Sequence, residues 1–173
     1  IRNAQIIVRD IRDSYGIISD IKADESIPKY ATNIVYLSKL GGTYEIEQKI
    51  LYSIINKHPM RADHYILLHI DYQDTPSTLE YDTVTLIPDT LYRINLRLGF
   101  RVHPLVNRYF RQIIEDMVAQ KEFSLASAYP SLAKHKVMGN FVFVLINRLY
   151  AAYSYFSFRD RMIMNAYEWI DKL

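Results

Sequence analysis

The segment His64 to Asp71, HYILLHID, is almost continuously apolar, and no other stretch constrains the fold as strongly. A strand wetted on one face alternates apolar with polar residues. A strand without that alternation has to be covered on both faces, as in a parallel sheet with helices packed above and below it. The preceding sequence supplies the matching parts. Thr32 to Ser38 (TNIVYLS) is rich in β-forming residues. After Gly41-Gly42, the residues Ile46, Ile50, Leu51, Ile54 and Ile55 fall at helical spacing, with Thr43 as a cap for a helix over Tyr44–Asn56 and His58-Pro59 to end it. Strand, helix, strand in this order is a β-α-β unit, whose crossover is right-handed.

The remaining chain extends the same sheet. Leu79 to Ile87 and Leu91 to Arg101 read as two strands joined by Pro88-Asp89-Thr90, a turn-prone link that favours an antiparallel hairpin. In the second strand Tyr92, Ile94, Leu96, Leu98 and Phe100 alternate with Arg93, Asn95, Arg97 and Arg101. Pro104 opens a helix running to Gln120, with Val106, Phe110, Ile113, Ile114 and Met117 on one face. Phe141 to Ile146 reads as a further buried strand, and Phe158 to Trp169 as a closing helix. Upstream, Ile7, Ile11, Tyr15, Ile18 and Ile21 make residues 1 to 21 an amphipathic helix weakened in its middle by Gly16, and Lys22 to Tyr30 a polar linker. The expected fold is α/β: a mixed, mostly parallel sheet of about five strands with an antiparallel hairpin and helices on both faces. Residues 1–28 are expected to be a connector helix and linker, and residues 29–173 the α/β domain.

A chain of 173 residues fits a single soluble domain, and its 50% hydrophobic and 23% charged residues are those of a globular protein. With 21 basic against 19 acidic side chains, the charge is too even to point to nucleic acid or an anionic membrane surface as a partner. The absence of cysteine excludes disulfides, thiolate metal sites and a cysteine nucleophile, and suits a reducing compartment. No apolar run approaches the ~18 residues of a membrane span. The chain starts at Ile1, without an initiator methionine, and is expected to be part of a longer polypeptide.

Catalytic signatures are not visible. Lys39-Leu40-Gly41-Gly42-Thr43 matches no phosphate-binding loop, and Glu45 and Glu47 in the following turn would repel an anion. The five histidines have no zinc-binding spacing, and His64 and His69 lie an odd number of residues apart, on opposite faces of one strand. No serine stands in a nucleophile elbow. An enzymatic role, a resident cofactor and a metal are therefore not expected. Arg93 to Ile114 is the informative stretch, carrying Arg93, Arg97, Arg101, Arg108 and Arg111 with His103 and no acidic residue. Guanidinium groups offer paired hydrogen bonds to phosphate, and Tyr92, Phe100 and Tyr109 offer surfaces for a stacked base. The same arginines can instead pair with Asp71, Asp74, Glu80 and Asp82 of the preceding strands.

The order YATNIVYLSK, helix, HYILLHIDYQDTP, hairpin, RINLRLGFRVHPLVNRYF resembles the cytosolic C-terminal region of Kup-type potassium uptake permeases. In that family a strand ending in an aromatic, an acidic-x-Pro turn (here Asp74-Thr75-Pro76) and a Y-G-F/W-x-x-x-P segment (here Gly99 to Pro104) recur in sequence. The resemblance implies a domain on the cytoplasmic face of the membrane, after the last membrane helix, with residues 1 to 21 carrying motion to the transmembrane part of the same transporter. It implies a universal-stress-protein-like fold, homodimerisation and, in Gram-positive members, inhibition by cyclic di-AMP. A two-fold symmetric ligand suits a site shared across a two-fold dimer. The expected ligand set is Arg97, Arg101, His103, Arg108 and Arg111 with Tyr36, His69 and Tyr72. Arg108 and Arg111 lie outside the general family pattern and are candidates for a lineage-specific nucleotide site. The alternative is a purely structural dimerisation module without a nucleotide ligand.

Overall fold

A computed structural model describes residues 6–123, 131, 134–135 and 140–145, and the backbone of residues 146 and 161–165. Its elements are β1 (Val8–Asp10), a 3-10 turn (Ile11–Ser14), α1 (Tyr15–Ala23), β2 (Lys29–Ser38), β3 (Glu45–Glu47), α2 (Gln48–Ile54), β4 (Arg61–Gln73), β5 (Leu79–Ile87), β6 (Leu91–Gly99), α3 (Val106–Ala119), β7 (Phe141–Ile146) and β8 (Arg161–Asn165). The main sheet has the order β5-β6-β4-β2-β7-β8. Strands β6, β4, β2 and β7 run parallel, and the two outer strands are antiparallel to their neighbours.

This arrangement follows from the apolar patterning. In β2 and β4 every position from Ile34 to Tyr36 and from Tyr65 to Leu68 is buried, because helices cover both faces. Ile34, Tyr36, Tyr65 and Leu67 pack with Ile50, Leu51 and Ile54 of α2 and with Ile11, Ile18 and Ile21 of the N-terminal segment. Val35, Ile66 and Leu68, with Ile94, Leu96 and Leu98 of β6, pack on Phe110, Ile113, Ile114 and Met117 of α3. The chain winds outward from β2 through α2 to β4 and on to β6, then returns through α3 to β7 on the other side of β2. Reversing the direction of a right-handed crossover puts its helix on the opposite face, which is why α2 and α3 sandwich the sheet. No helix among the described residues is long and apolar enough to cross a membrane.

Three sequence expectations are corrected. Within residues 1–21, where one helix is expected, a helix forms only from Tyr15; Val8–Asp10 is a strand, and residues 1–5 lie outside the described ones. The helix expected over Tyr44–Asn56 begins instead at Gln48, with Glu47 at its N-cap in place of Thr43. Both departures have one cause: Val8↔Glu47, Arg9↔Ile46 and Asp10↔Glu45 pair as a small antiparallel sheet, drawing Glu45–Glu47 out of the helix. Ile46, with helical and alternating readings equally open to it in Glu-Ile-Glu, is fully buried as a strand residue. In the closing helix expected over Phe158–Trp169, Arg161–Asn165 form a strand paired antiparallel with β7, and the rest of that range lies outside the described residues. Pairing with the free edge of β7 gives this backbone its hydrogen bonds, and tertiary pairing overrides a weak local helical period.

Candidate functional site

At the C-terminal edge of the sheet β4 outruns β2, since Ser38 pairs with His69 while β4 continues to Gln73 beside Gly99 at the end of β6. Beyond these ends the loop 74–78 and the turn 99–105 are welded together by the backbone. The Gly99 amide donates to Thr78 O (2.7 Å), the Phe100 amide to Thr75 O (3.1 Å) and the Arg101 amide to Pro76 O (3.0 Å). Position 99 has to be glycine for this contact. A Cβ there would lie 2.5 Å from Thr75 O, 2.6 Å from Thr78 N and 2.7 Å from Pro76 O, all backbone atoms that cannot swing aside. The two sequence motifs, Asp74-Thr75-Pro76 and Gly99 to Pro104, are thus one corner of the fold.

The corner presents exposed aromatic and basic side chains together with the exposed carboxylate of Asp74. Tyr72 is 65% and Phe100 63% exposed, with Leu79 and Leu105 also exposed nearby in the chain. Arg101 and His103 are exposed in the turn, and Arg101 stacks over the Phe100 ring with its guanidinium 5.8 Å from the ring centroid. Tyr109 Oη donates to His103 O (2.8 Å), tying the turn to the first turn of α3, where Arg108 is exposed. Among the described residues neither Arg101 nor Arg108 has an ion-pair partner. Of the expected ligand set, Tyr72, Arg101, His103 and Arg108 share this corner, with Arg111 one turn further along α3.

The other expected residues are elsewhere. Arg97, on the opposite face of β6, bonds Asp82 Oδ1 (2.5 Å) and lies 3.5 Å from Glu80 Oε2, the pairing anticipated for a structural arginine. Its hydrogen bond to Asp82 raises its pKa and lowers that of Asp82 against the effect of burial. Arg111 pairs with Glu115 one turn along the helix (3.2 Å). His69 is half-buried beneath Gly41 and donates from Nδ1 to Ser38 O (3.0 Å). Tyr36 is 0% exposed in the core, its hydroxyl 3.2 Å from Ser53 Oγ.

Arg93 holds a role the sequence reading missed. It is 0% exposed and donates from Nε to Thr43 O (3.1 Å), from Nη1 to Leu40 O (2.9 Å) and from Nη2 to Glu45 O, clamping the loop after β2 from below. Burial lowers its pKa, opposed by the charges of Glu47 and Glu45. Glu47 fixes the start of the same loop, accepting from Ser38 Oγ (2.8 Å) and Lys39 N (2.6 Å). The signal lay in the cross-strand register: Arg97 stands between Asp71 and Glu80, whereas Arg93 stands between Leu67 and Val84. An arginine with apolar neighbours on both sides has to find backbone acceptors. Among the described residues no group of three or more metal-ligating side chains occurs.

Residues 31–173 match the family described as K+ potassium transporter C-terminal domain. A probable potassium transport system protein Kup from Cytophaga hutchinsonii is 44% identical over 138 residues, 80% of this chain and 21% of that protein. The protein of the same name from Flavobacterium psychrophilum is 38% identical over 157 residues (91% and 24%), and that from Clostridium perfringens 34% over 155 (90% and 23%). The chain spans about a fifth to a quarter of the length of these curated relatives. No solved structure matches.

Proposed function

We propose that this chain, which belongs to the K+ potassium transporter C-terminal domain family, is the cytosolic regulatory domain of a potassium importer. In this reading it pairs as a homodimer, binds cyclic di-AMP and inhibits transport, with residues 1–28 connecting it to the transmembrane part. The observation that carries the ligand assignment is the corner at the ends of β4 and β6. There Tyr72 at the end of β4 and Phe100 in the turn after β6 expose their rings, Arg101 lies over the Phe100 ring, and Arg101 and Arg108 carry no ion pair among the described residues. Exposed rings stack on adenine and unpaired guanidinium groups bind phosphate. A ligand with two of each, held between two copies of the corner, biases the transporter by favouring one of its states. The arginines already committed to carboxylates, Arg97 and Arg111, then shape the surface and make fewer ligand contacts.

Titration calorimetry of the chain with cyclic di-AMP tests this. Binding is expected at about one ligand per two chains, and Arg101→Ala with Arg108→Ala is expected to weaken it at least tenfold. Unchanged binding in that variant refutes the site. The purely structural dimerisation module is favoured by the ion pairs of Arg97 and Arg111 and by the burial of Arg93. It predicts concentration-dependent self-association with no heat on adding the nucleotide.

A further inference from the structure

At the opposite edge of the sheet from the corner, the N-terminal ends of β2, β4 and β7 meet around one buried histidine. His64 is 6% exposed, its ring 4.5 Å from that of Phe123. Its Nδ1 lies 2.8 Å from Asn33 Oδ1 and its Nε2 3.0 Å from Asp89 Oδ1. The Asn33 amide is oriented by its other end, where Nδ2 donates to Asn140 O (3.3 Å), so an acceptor faces His64 Nδ1. Both ring nitrogens therefore face acceptors. A neutral imidazole has one N–H and satisfies one of them; only the imidazolium satisfies both. Asp89 in turn receives Lys22, the last basic residue of α1, whose Nζ bonds Asp89 O, approaches Asp89 Oδ2 (3.5 Å) and reaches Thr90 Oγ1 (3.3 Å).

We propose that His64 is a proton-operated latch between α1 and the sheet. Protonated, it holds the β5–β6 turn against Asn33 and fixes the Asp89 carboxylate beside Lys22. Neutral, it keeps Asn33 and faces Asp89 with a lone pair, loosening the turn and the helix end that the turn carries. This inference is independent of any nucleotide at the corner.

The charged groups around the ring define the direction of the response. Burial is the largest influence and lowers the pKa of His64; the Asp89 hydrogen bond and charge oppose it, Lys22 adds to the lowering, and Asp63 on the same strand opposes. Asp63 is itself engaged by Lys29 of β2 (2.9 Å). Lys121 and Glu122, after α3, line the cleft beside Asp89 on the solvent side. Asp89 is kept ionised: burial raises its pKa, but the His64 hydrogen bond and Lys22 outweigh that. Since the folded pKa of His64 lies below the ordinary value of about 6.5, the unfolded chain binds more protons in the window between the two. Stability is thus present above about pH 6.5 and declines as the pH falls to the folded pKa, while the latch closes.

NMR titration of the His64 ring in the 173-residue chain tests the proposal. Two variants move the midpoint in opposite directions: Asp89→Asn lowers it, by removing the partner that favours the charge, and Lys22→Met raises it. Asparagine tolerates the positive φ of residue 89 (53°), so the turn survives the exchange. In the parent chain the amide resonances of Lys22 and Asp89 follow the His64 midpoint, and in Asp89→Asn they do not. A midpoint unmoved by Asp89→Asn, a fall in Lys22→Met, or amides that ignore the ring in the parent chain overturns the latch.

Discussion

Two residues of β6, six positions apart, depend on backbone atoms far from them in sequence. At Gly99 the constraint is steric. Any Cβ meets three backbone atoms of residues 75–78 within 2.7 Å, so Gly99→Ala has to push the loop 74–78 off the turn. Overpacking of this kind costs about 1–3 kcal/mol. Urea unfolding should show that loss together with reduced packing around Phe100 and Arg101, the proposed ligand contacts. At Arg93 the constraint is polar. Arg93→Met keeps the length and apolar stem but leaves the carbonyls of Leu40, Thr43 and Glu45 without their donor. Buried unsatisfied acceptors cost about 1–3 kcal/mol each where water does not replace the donor, so a loss on the order of 3 kcal/mol is expected in urea unfolding. The same exchange at Arg97, whose partners Glu80 and Asp82 are partly exposed, should cost less than 1 kcal/mol, the usual worth of a surface pair. Equal losses at the two positions would refute the distinction.

At the scale of elements, the sequence was legible wherever an element's own periodicity decides its state. The uninterrupted apolar run of β4, the alternation of β6 and the heptad-like stripe of α3 each name their structure without reference to a partner, and β2, β5 and β7 follow from similar runs. The illegible elements are β1, β3 and β8, three to five residues each, which exist only because a partner distant in the chain pairs with them. For the corner, the sequence showed both motifs but not the three backbone hydrogen bonds joining them, and the resemblance that put Tyr36 in the expected ligand set carried no information on which way its ring faces, which is into the core. The β1–β3 pairing carries its own test. Residues 6–14 hold the loop after β2 through Gln48 N to Ile7 O (2.9 Å), Ile11 N to Tyr44 O (2.9 Å) and Arg9 Nε to Gln48 Oε1 (2.8 Å). Deleting residues 1–10 should speed amide hydrogen exchange in residues 45–47 at least tenfold while β4 and β6 stay protected. Exchange in 45–47 that does not change would mean that this strand stands without its partner.

For the molecule as a whole, the winding of the chain poses a choice of binding place. Open parallel sheets bind ligands beyond the carboxyl ends of their strands, where the winding reverses, and here that point lies between β2 and β7. The crevice exists, lined by Ser38, Lys39, Glu47, Lys49, Ile50 and Leu145, but it holds only about 90 Å³. Ligand pockets run to roughly 300–1,000 Å³. The fold has filled the position with its own groups: Glu47 takes the Ser38 hydroxyl and the Lys39 amide, as an incoming anion would, and Arg93 fixes the loop above. The carboxylate also leaves the crevice hostile to phosphate. In the reading proposed above, binding is displaced outward along the same edge to the corner at β4 and β6, where Tyr72, Phe100, Arg101 and Arg108 are exposed. The two places separate experimentally. Lys39→Ala with Lys49→Ala removes two lysines lining the crevice and should leave the affinity for cyclic di-AMP within about twofold, whereas Arg101→Ala with Arg108→Ala should lower it tenfold or more. If the lysine pair weakens binding and the arginine pair does not, the ligand sits at the reversal point and the Glu47 carboxylate has to move to admit it.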